Sequence, residues 1–396
     1  MKDIVILAHF TGDLNCESNN RFNYLCEELA KKHHVELVTT DFSHKLKDRR
    51  DISSVNKPFK TTFIHEPKYK RNVSIRRFYS HFVWGNRVAA YLRKREKPDI
   101  VYCAVPSLTG PQKVAQYCHK NGIRFIIDIQ DLWPEAFGMV VKIPVLSSIL
   151  FSPFRYHANK IYSKADDIVA VSEEYVQRAL SVNKKNAKGY AVYIGTKLEK
   201  YDEGRKSEPY ARKPKGELWI GYCGSLAASY DIPNLIKAVE ILVQRGFANI
   251  RLIIMGDGGH KQTFVDIATE KGIPVLFTGR LLYTRMCAQI DQCDIVVNPI
   301  RSGSAASIIN KHGDYAASGK PVVNSQENRE YRDLIERYHM GLNCNCEDAL
   351  DMAQKLEILI TDSDLRKMMG ENARKCAEEK FDRKFTYQTI YDLMKE

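Results

Sequence analysis

The sequence holds no run of about 18 apolar residues, the length a helix needs to cross a bilayer, so no membrane-spanning segment is expected. Its ten cysteines include no CxxC pair. The two closest, Cys344 and Cys346, have no nearby His or Cys cluster to complete a zinc site, which excludes a zinc-finger or disulfide framework. No repeat of 20–50 residues and no low-complexity tract occurs, which excludes solenoids and disordered arrays. Nor is there a nucleic-acid-binding motif, so nucleic acid is not an expected partner. Met1 leads almost at once into Ile4-Val5-Ile6-Leu7, too short for an export segment and suited to a first buried strand. A cytoplasmic protein is expected, its cysteines serving as small core residues.

What is present describes a globular chain of two domains: 396 residues, 44% hydrophobic and 27% charged. The net charge of +12 is lopsided. Residues 1–200 carry 33 Lys and Arg against 20 Asp and Glu, whereas residues 201–396 carry 27 against 28. Without a nucleic-acid motif, a basic first half points to a phosphorylated ligand or an anionic membrane surface.

Apolar strands alternate with amphipathic helices through both halves. Ile4–Phe10, Val35–Thr40, Ile100–Val105, Phe125–Ile129 and Ile168–Val171 read as strands of the first half. Leu218–Tyr222, Arg251–Met255, Val275–Thr278, Ile295–Asn298 and Val322–Val323 read as strands of the second. The alternation implies two doubly wound α/β domains whose ligands bind at the carboxyl ends of parallel strands, here on either side of one cleft. The expected boundaries are 1–204 for the first domain, 205–216 for a polar linker with two prolines, and 217–370 for the second domain. Terminal helices over 371–396 can pack back on the first.

Three glycine-bearing turns follow successive strands of the second domain: Gly224-Ser225 after the first, Gly256-Asp257 after the second and Gly279-Arg280 after the third. Glycine there lets backbone N–H groups approach an anion closely. The Ser302–Val323 segment then runs from a loop of small residues into a helix carrying Lys311 and Asp314. Ser304, Ser307 and Lys311 suit a diphosphate, and Asp314 suits two ribose hydroxyls. A plain i,i+3 salt bridge on a solvated helix explains the same pair equally well.

Ala317-Ser318-Gly319-Lys320-Pro321-Val322 and the Ile126–Phe137 segment (IIDIQDLWPEAF) resemble family 4 retaining glycosyltransferases, above all those that build bacterial capsules, O-antigens and exopolysaccharides. The resemblance implies the GT-B fold and a nucleotide diphosphate sugar, a UDP-sugar by preference, as donor. It implies a glycan, lipid-linked, as acceptor. The second of the family's two Glu residues falls on Asp314, the ribose ligand. The first, which touches the donor sugar, falls on Ala306, and this chain departs from the pattern there. A basic residue after the family's Gly-Ser-Leu turn is also missing, leaving Lys311, with Arg280 or Arg301, for the phosphates. Where relatives carry a His-Asp pair, this chain has Gln130-Asp131; Asp131 either engages the acceptor hydroxyl or caps the next helix. The loop with Gly12, Asn20 and Arg21 stands where the family turns toward the donor phosphates, although Arg21 can equally form a salt bridge.

No metal is expected, because the single Asp-x-Asp triplet, Asp362-Ser363-Asp364, is placed to cap a helix. Two other classes remain: a sugar-nucleotide 2-epimerase on the same architecture, and a non-catalytic GT-B subunit, which the missing residues at Ala306 and Gln130 keep open. Finally, Pro67–Pro98 holds ten basic residues against one acidic, with six interleaved aromatics. Arg76, Arg77, Arg93 and Lys94 are expected at an anionic membrane surface, placing the protein peripherally on the inner face of the cell membrane, unless this is an ordinary solvated face.

Overall fold

The computed structural model describes residues 1–14, 20–53, 55–72, 74–135, 151–304 and 307–395. The chain divides into two compact units, 1–192 with 389–396, and 193–388. Among the described residues no helix is long and apolar enough to cross a membrane.

The first unit is built on seven parallel strands: β1 (Asp3–Leu7), β2 (His34–Thr40), β5 (Lys60–Ile64), β6 (Ile100–Val105), β7 (Arg124–Ile129), β8 (Asp167–Ala170) and β9 (Lys188–Ala191), in the order β5-β2-β1-β6-β7-β8-β9. A two-stranded antiparallel pair, β3 (Phe42–Ser43) and β4 (Asp48–Arg49), stands apart. The central strands are apolar end to end because helices cover both faces: every residue of β6 is buried. The chain runs outward from β1 through β2 to β5, then crosses back to β6 beside β1. The carboxyl ends of β1 and β6 therefore form a topological switch point, where α/β sheets bind ligands.

The second unit repeats the plan with six parallel strands: β10 (Leu218–Cys223), β11 (Ile250–Met255), β12 (Val275–Gly279), β13 (Ile295–Asn298), β14 (Val322–Asn324) and β15 (Gly341–Asn343), ordered β12-β11-β10-β13-β14-β15. Its switch point lies between β10 and β13. Successive residues of β10 face opposite cores: Ile220 packs with Leu235, Leu252 and Leu356, whereas Trp219 packs with Ile253, Ile290 and Ile335.

Two boundaries differ from expectation. The passage between units falls at Val192–Tyr193, and the polar 205–216 stretch lies inside the second unit. Its polarity belongs to a tethered surface segment: the Ala211 amide donates to Gln289 (2.7 Å) and the Lys213 ammonium to Asp294 (2.6 Å). Of the terminal helices, Ser363–Cys376 stays with the second unit, and only residues from Thr389 onward rejoin the first, where Arg124 donates to the Leu393 carbonyl (2.9 Å). Asp362 caps Ser363–Cys376 by accepting from the Leu365 amide, as its place in the triplet predicts.

Candidate donor site

At the carboxyl edge of the second sheet the three glycine turns are stitched side by side. The Gly224 amide donates to Met255 (2.9 Å), the Leu226 amide to Asp257 (3.0 Å) and the Gly256 amide to Gly279 (2.9 Å). The fit leaves no room for side chains: a Cβ on Gly256 would lie 1.8 Å from the Gly224 carbonyl oxygen. Ser225 is exposed beside this seam, its carbonyl accepting from the Tyr222 hydroxyl (2.7 Å), and Asp257 closes its own turn by accepting from the Gly258 amide (2.9 Å).

The helix Asn310–Ala317 brings Lys311 to this seam. Its residue is 9% exposed, and its ammonium has no hydrogen-bond partner. The nitrogen sits 4.3 Å and 4.0 Å from the ring centres of Tyr222 and Tyr230, and a Cβ on Gly224 would approach it to 2.7 Å. Burial pushes the Lys311 pKa down to about 7, opposed by the nearby Cys223 thiol. Two aromatic faces offset part of the desolvation but satisfy none of the three N–H donors. Such a cation has three donors that nothing in the free chain uses, and its chemistry suits an anion.

Asp314, one turn on, forms no ion pair with Lys311. Its Oδ1 accepts from the Thr196 hydroxyl (3.0 Å) and the Tyr283 hydroxyl (2.9 Å), and burial raises its pKa to about 6. The surface salt-bridge reading is thereby excluded: the two side chains go to separate partners in a buried setting. Ser307 is buried with its carbonyl held by the Gln326 amide (2.9 Å), while Ser304 is half-buried in the loop and Arg280 is exposed. Ala306 lies outside the described residues.

The first unit corrects part of the sequence reading. Of the two roles the sequence leaves open for Arg21, donor phosphates or a salt bridge, the structure has the salt bridge: Arg21 is 3% exposed and forms a two-pronged ion pair with the fully buried Asp128, at 2.7 and 3.2 Å. Tyr102 (2.7 Å) and Gln130 (2.7 Å) donate to the same carboxylate, so Gln130 is a support of Asp128 here. Asn20 is the N-cap of the helix Arg21–Leu29, accepting from the Phe22 and Asn23 amides. Gly12 is exposed, its carbonyl accepting from Arg50 (2.9 Å). Asp131 is half-buried just beyond β7, with Trp133 donating to one of its oxygens at 3.2 Å, and burial raises its pKa. The helix it was expected to cap, and most of the apolar Gly138–Phe154 stretch, lie outside the described residues.

Arg77 was expected on the surface. It is half-buried instead, its guanidinium over the rings of Trp133 (4.8 Å) and Phe10 (5.8 Å). Arg76, Arg93 and Lys94 are exposed on the helix Ile75–Lys94. On that helix Ile75, Phe78, Tyr79 and Phe82, spaced i, i+3, i+4, i+7, are exposed at 88, 39, 59 and 52%. Trp84, Val88 and Leu92 cover the sheet from the opposite face.

Sequence reasoning missed His9, Glu66 and His81, all buried at the carboxyl edge of the first sheet. The one signal available was a polar residue just past an apolar strand, at His9 after β1; Glu66 follows the mixed edge strand β5 and carried none.

Comparison with known proteins adds family information. Residues 19–200 match the glycosyltransferase family 4 model, and residues 205–376 match the model of glycosyl transferases group 1. A capsular polysaccharide biosynthesis glycosyltransferase of Staphylococcus aureus, CapM, is 24% identical over 246 residues, which are 58% of this chain and 61% of CapM. A Campylobacter jejuni α-1,4-N-acetyl-D-galactosaminyltransferase, named for an undecaprenol-diphosphate-linked glycan, is 24% identical over 158 residues, 40% of this chain and 43% of that protein. The chain thus spans about three-fifths or less of the length of these two curated relatives. The HepE protein of Anabaena, solved in complex with UDP, superposes over 100% of both chains with a TM-score of 0.72 at 15% identity, a likeness of fold.

Proposed function

This chain belongs to the glycosyltransferases, its two halves matching the family 4 and group 1 models, and we propose that it moves a sugar from a UDP-sugar to a lipid-linked glycan with retention of configuration. The observation that carries the reading is the Lys311 ammonium, buried, unpartnered and pressed against the Gly224 turn at the switch point of the second sheet. As the bond from sugar to diphosphate breaks, negative charge grows on the leaving oxygens, and a pre-placed cation stabilises it. The interlocked glycine turns bring the backbone close beneath that cation, and Asp314 holds the ribose. Lys311 thus stands in for the basic residue missing after the Gly224-Ser225-Leu226 turn. Asp131 receives the acceptor hydroxyl, which attacks on the face the diphosphate leaves. HepE's complex with UDP and the Campylobacter relative's lipid-linked substrate support the choice of donor and acceptor.

The chemistry uses no divalent ion in this reading, because Lys311 supplies the charge. Incubation with a UDP-sugar and a lipid-linked glycan should yield a product whose new linkage keeps the donor's anomeric configuration by NMR. The rate should be unchanged by added Mg²⁺ or Mn²⁺. An inverted linkage, dependence on either ion, or epimerised UDP-sugar with no acceptor present contradicts it.

The exposed stripe Ile75, Phe78, Tyr79 and Phe82, flanked by Arg76, supports docking of the first unit on an anionic bilayer, where such an acceptor resides. Each basic residue near the surface contributes on the order of 1 kcal/mol. In cosedimentation, binding should rise with the anionic lipid fraction and fall with salt. It should drop on changing Arg76, Arg93 and Lys94 to Ser, and again on changing Phe78 and Phe82 to Ser. Equal binding to neutral and anionic vesicles refutes the charge contribution.

A further inference from the structure

Three side chains from separate elements converge at the carboxyl edge of the first sheet: His9 beyond β1, Glu66 beyond β5 and His81 within the helix Ile75–Lys94. They are 1, 1 and 3% exposed, and one ligand-type atom from each lies within 4.8 Å of the others. His9 Nε2 is 2.8 Å from Glu66 Oε2, and His9 Nδ1 is 2.7 Å from the Ser107 hydroxyl across the β1/β6 switch point. Glu66 is oriented by the Ser80 hydroxyl on Oε1 (2.6 Å) and the Thr40 hydroxyl on Oε2 (2.7 Å). The His9 ring lies flat on the Trp84 indole at 3.8 Å, and edge-on to His81 at 4.8 Å.

Among the three ligand-type side chains, one buried atom is unaccounted for. His81 Nε2 is buried and has no hydrogen-bond partner. The His9–Glu66 pair is complete by itself as a hydrogen bond, so proton sharing explains those two residues and leaves His81 without a role. We propose that His9, Glu66 and His81 bind one zinc(II)-class divalent ion, at a structural site that fastens the helix Ile75–Lys94 to the ends of β1 and β5. The chemistry of the set fits: two imidazole nitrogens and a carboxylate with two oxygens are borderline donors of the kind zinc prefers. With ligand distances near 2.1 Å the donor atoms of a tetrahedral site stand roughly 3.4 Å apart, so His81 must draw in by about an ångström while the His9–Glu66 pair opens slightly. The groups around them match what metal ligands need: a hydroxyl on the second nitrogen of His9, and hydroxyls that fix the carboxylate. This inference is independent of the donor-site reading, because every residue in it belongs to the first unit and the ion takes no part in transfer.

The test is zinc content of the untagged full chain after equilibration with zinc and gel filtration, read by elemental mass spectrometry. One equivalent is expected for the native chain and for a control in which the exposed His119 and His260 are changed to Ala. His81→Ala should fall to about a tenth of an equivalent or less, and zinc should raise the melting temperature of the native chain but not of this variant. Should His81→Ala fail to fold, cobalt(II) added to the native chain decides: intense d–d absorption of a low-coordinate nitrogen–oxygen site is expected. Zinc content equal in the native chain and His81→Ala overturns the proposal, as does a cobalt spectrum no different from the hydrated ion.

Discussion

Lys311→Met is expected to weaken UDP binding about tenfold to a hundredfold and to raise the melting temperature of the unliganded protein. The two effects have opposite signs for one reason. In the free protein the ammonium is buried against Tyr222 and Tyr230 with no hydrogen-bond partner, so folding bears its desolvation with only the two ring faces to offset part of it. Methionine fills the same space with an apolar chain, and replacing a buried charge by a well-packed apolar group is neutral or stabilising. With nucleotide present the balance reverses, because a charge-assisted contact to a diphosphate contributes roughly 1.5–3 kcal/mol. Calorimetric titration and thermal denaturation of the same preparations check both halves. A residue that only packs the core would lower stability and leave affinity alone.

Arg21→Met should have the largest effect on folding, destabilising the first unit by about 3–5 kcal/mol. Asp128 is fully buried and keeps only the Tyr102 hydroxyl and the Gln130 amide when the guanidinium is gone. Two neutral donors do not compensate a buried carboxylate, so the unit is destabilised. Chemical denaturation of Arg21→Met measures the loss. Restoring neutrality in the double variant Arg21→Met, Asp128→Asn should recover part of it. Unchanged stability with weakened UDP binding would return Arg21 to the donor phosphates, one of the two roles the sequence leaves open to it.

That reassignment shows what one sequence can and cannot carry. The central strands were legible because parallel strands covered on both faces leave nearly continuous apolar runs, as in Ile100–Val105 and Ile250–Met255. Edge strands such as Lys60–Ile64 and Lys188–Ala191 are half-exposed or more, and their mixed composition gave no such run. Of the proposed donor site, the positions of Lys311, Asp314 and the glycine turns at strand and helix ends were legible in the sequence, whereas what they bind awaits the nucleotide titrations. Arg21 was not, since its partner Asp128 is 107 residues away. The convergence of His9, Glu66 and His81 depends on strand order, which brings β5, β2, β1 and β6 side by side. The boundary at Val192 was missed because a polar, proline-bearing surface segment reads like a linker even when its side chains are tied down.

The most direct test is the affinity of the native chain for UDP between pH 7.5 and 9. Lys311 has a pKa of about 7 in the free protein, lowered by burial, so over this range it is increasingly neutral before binding. Diphosphate favours the ammonium, and binding must therefore take up a proton. Asp314, at about 6, is already ionised and adds nothing to the slope. Linkage fixes the signs: affinity falls by up to about tenfold per pH unit above 7, whereas the buried lysine's penalty on folding shrinks as pH climbs toward its ordinary value, so unliganded stability gains. The account predicts falling affinity with measurable proton uptake in the native chain, and a flat, weak response in Lys311→Met. A native affinity that does not change across that range, with no proton taken up, would contradict it.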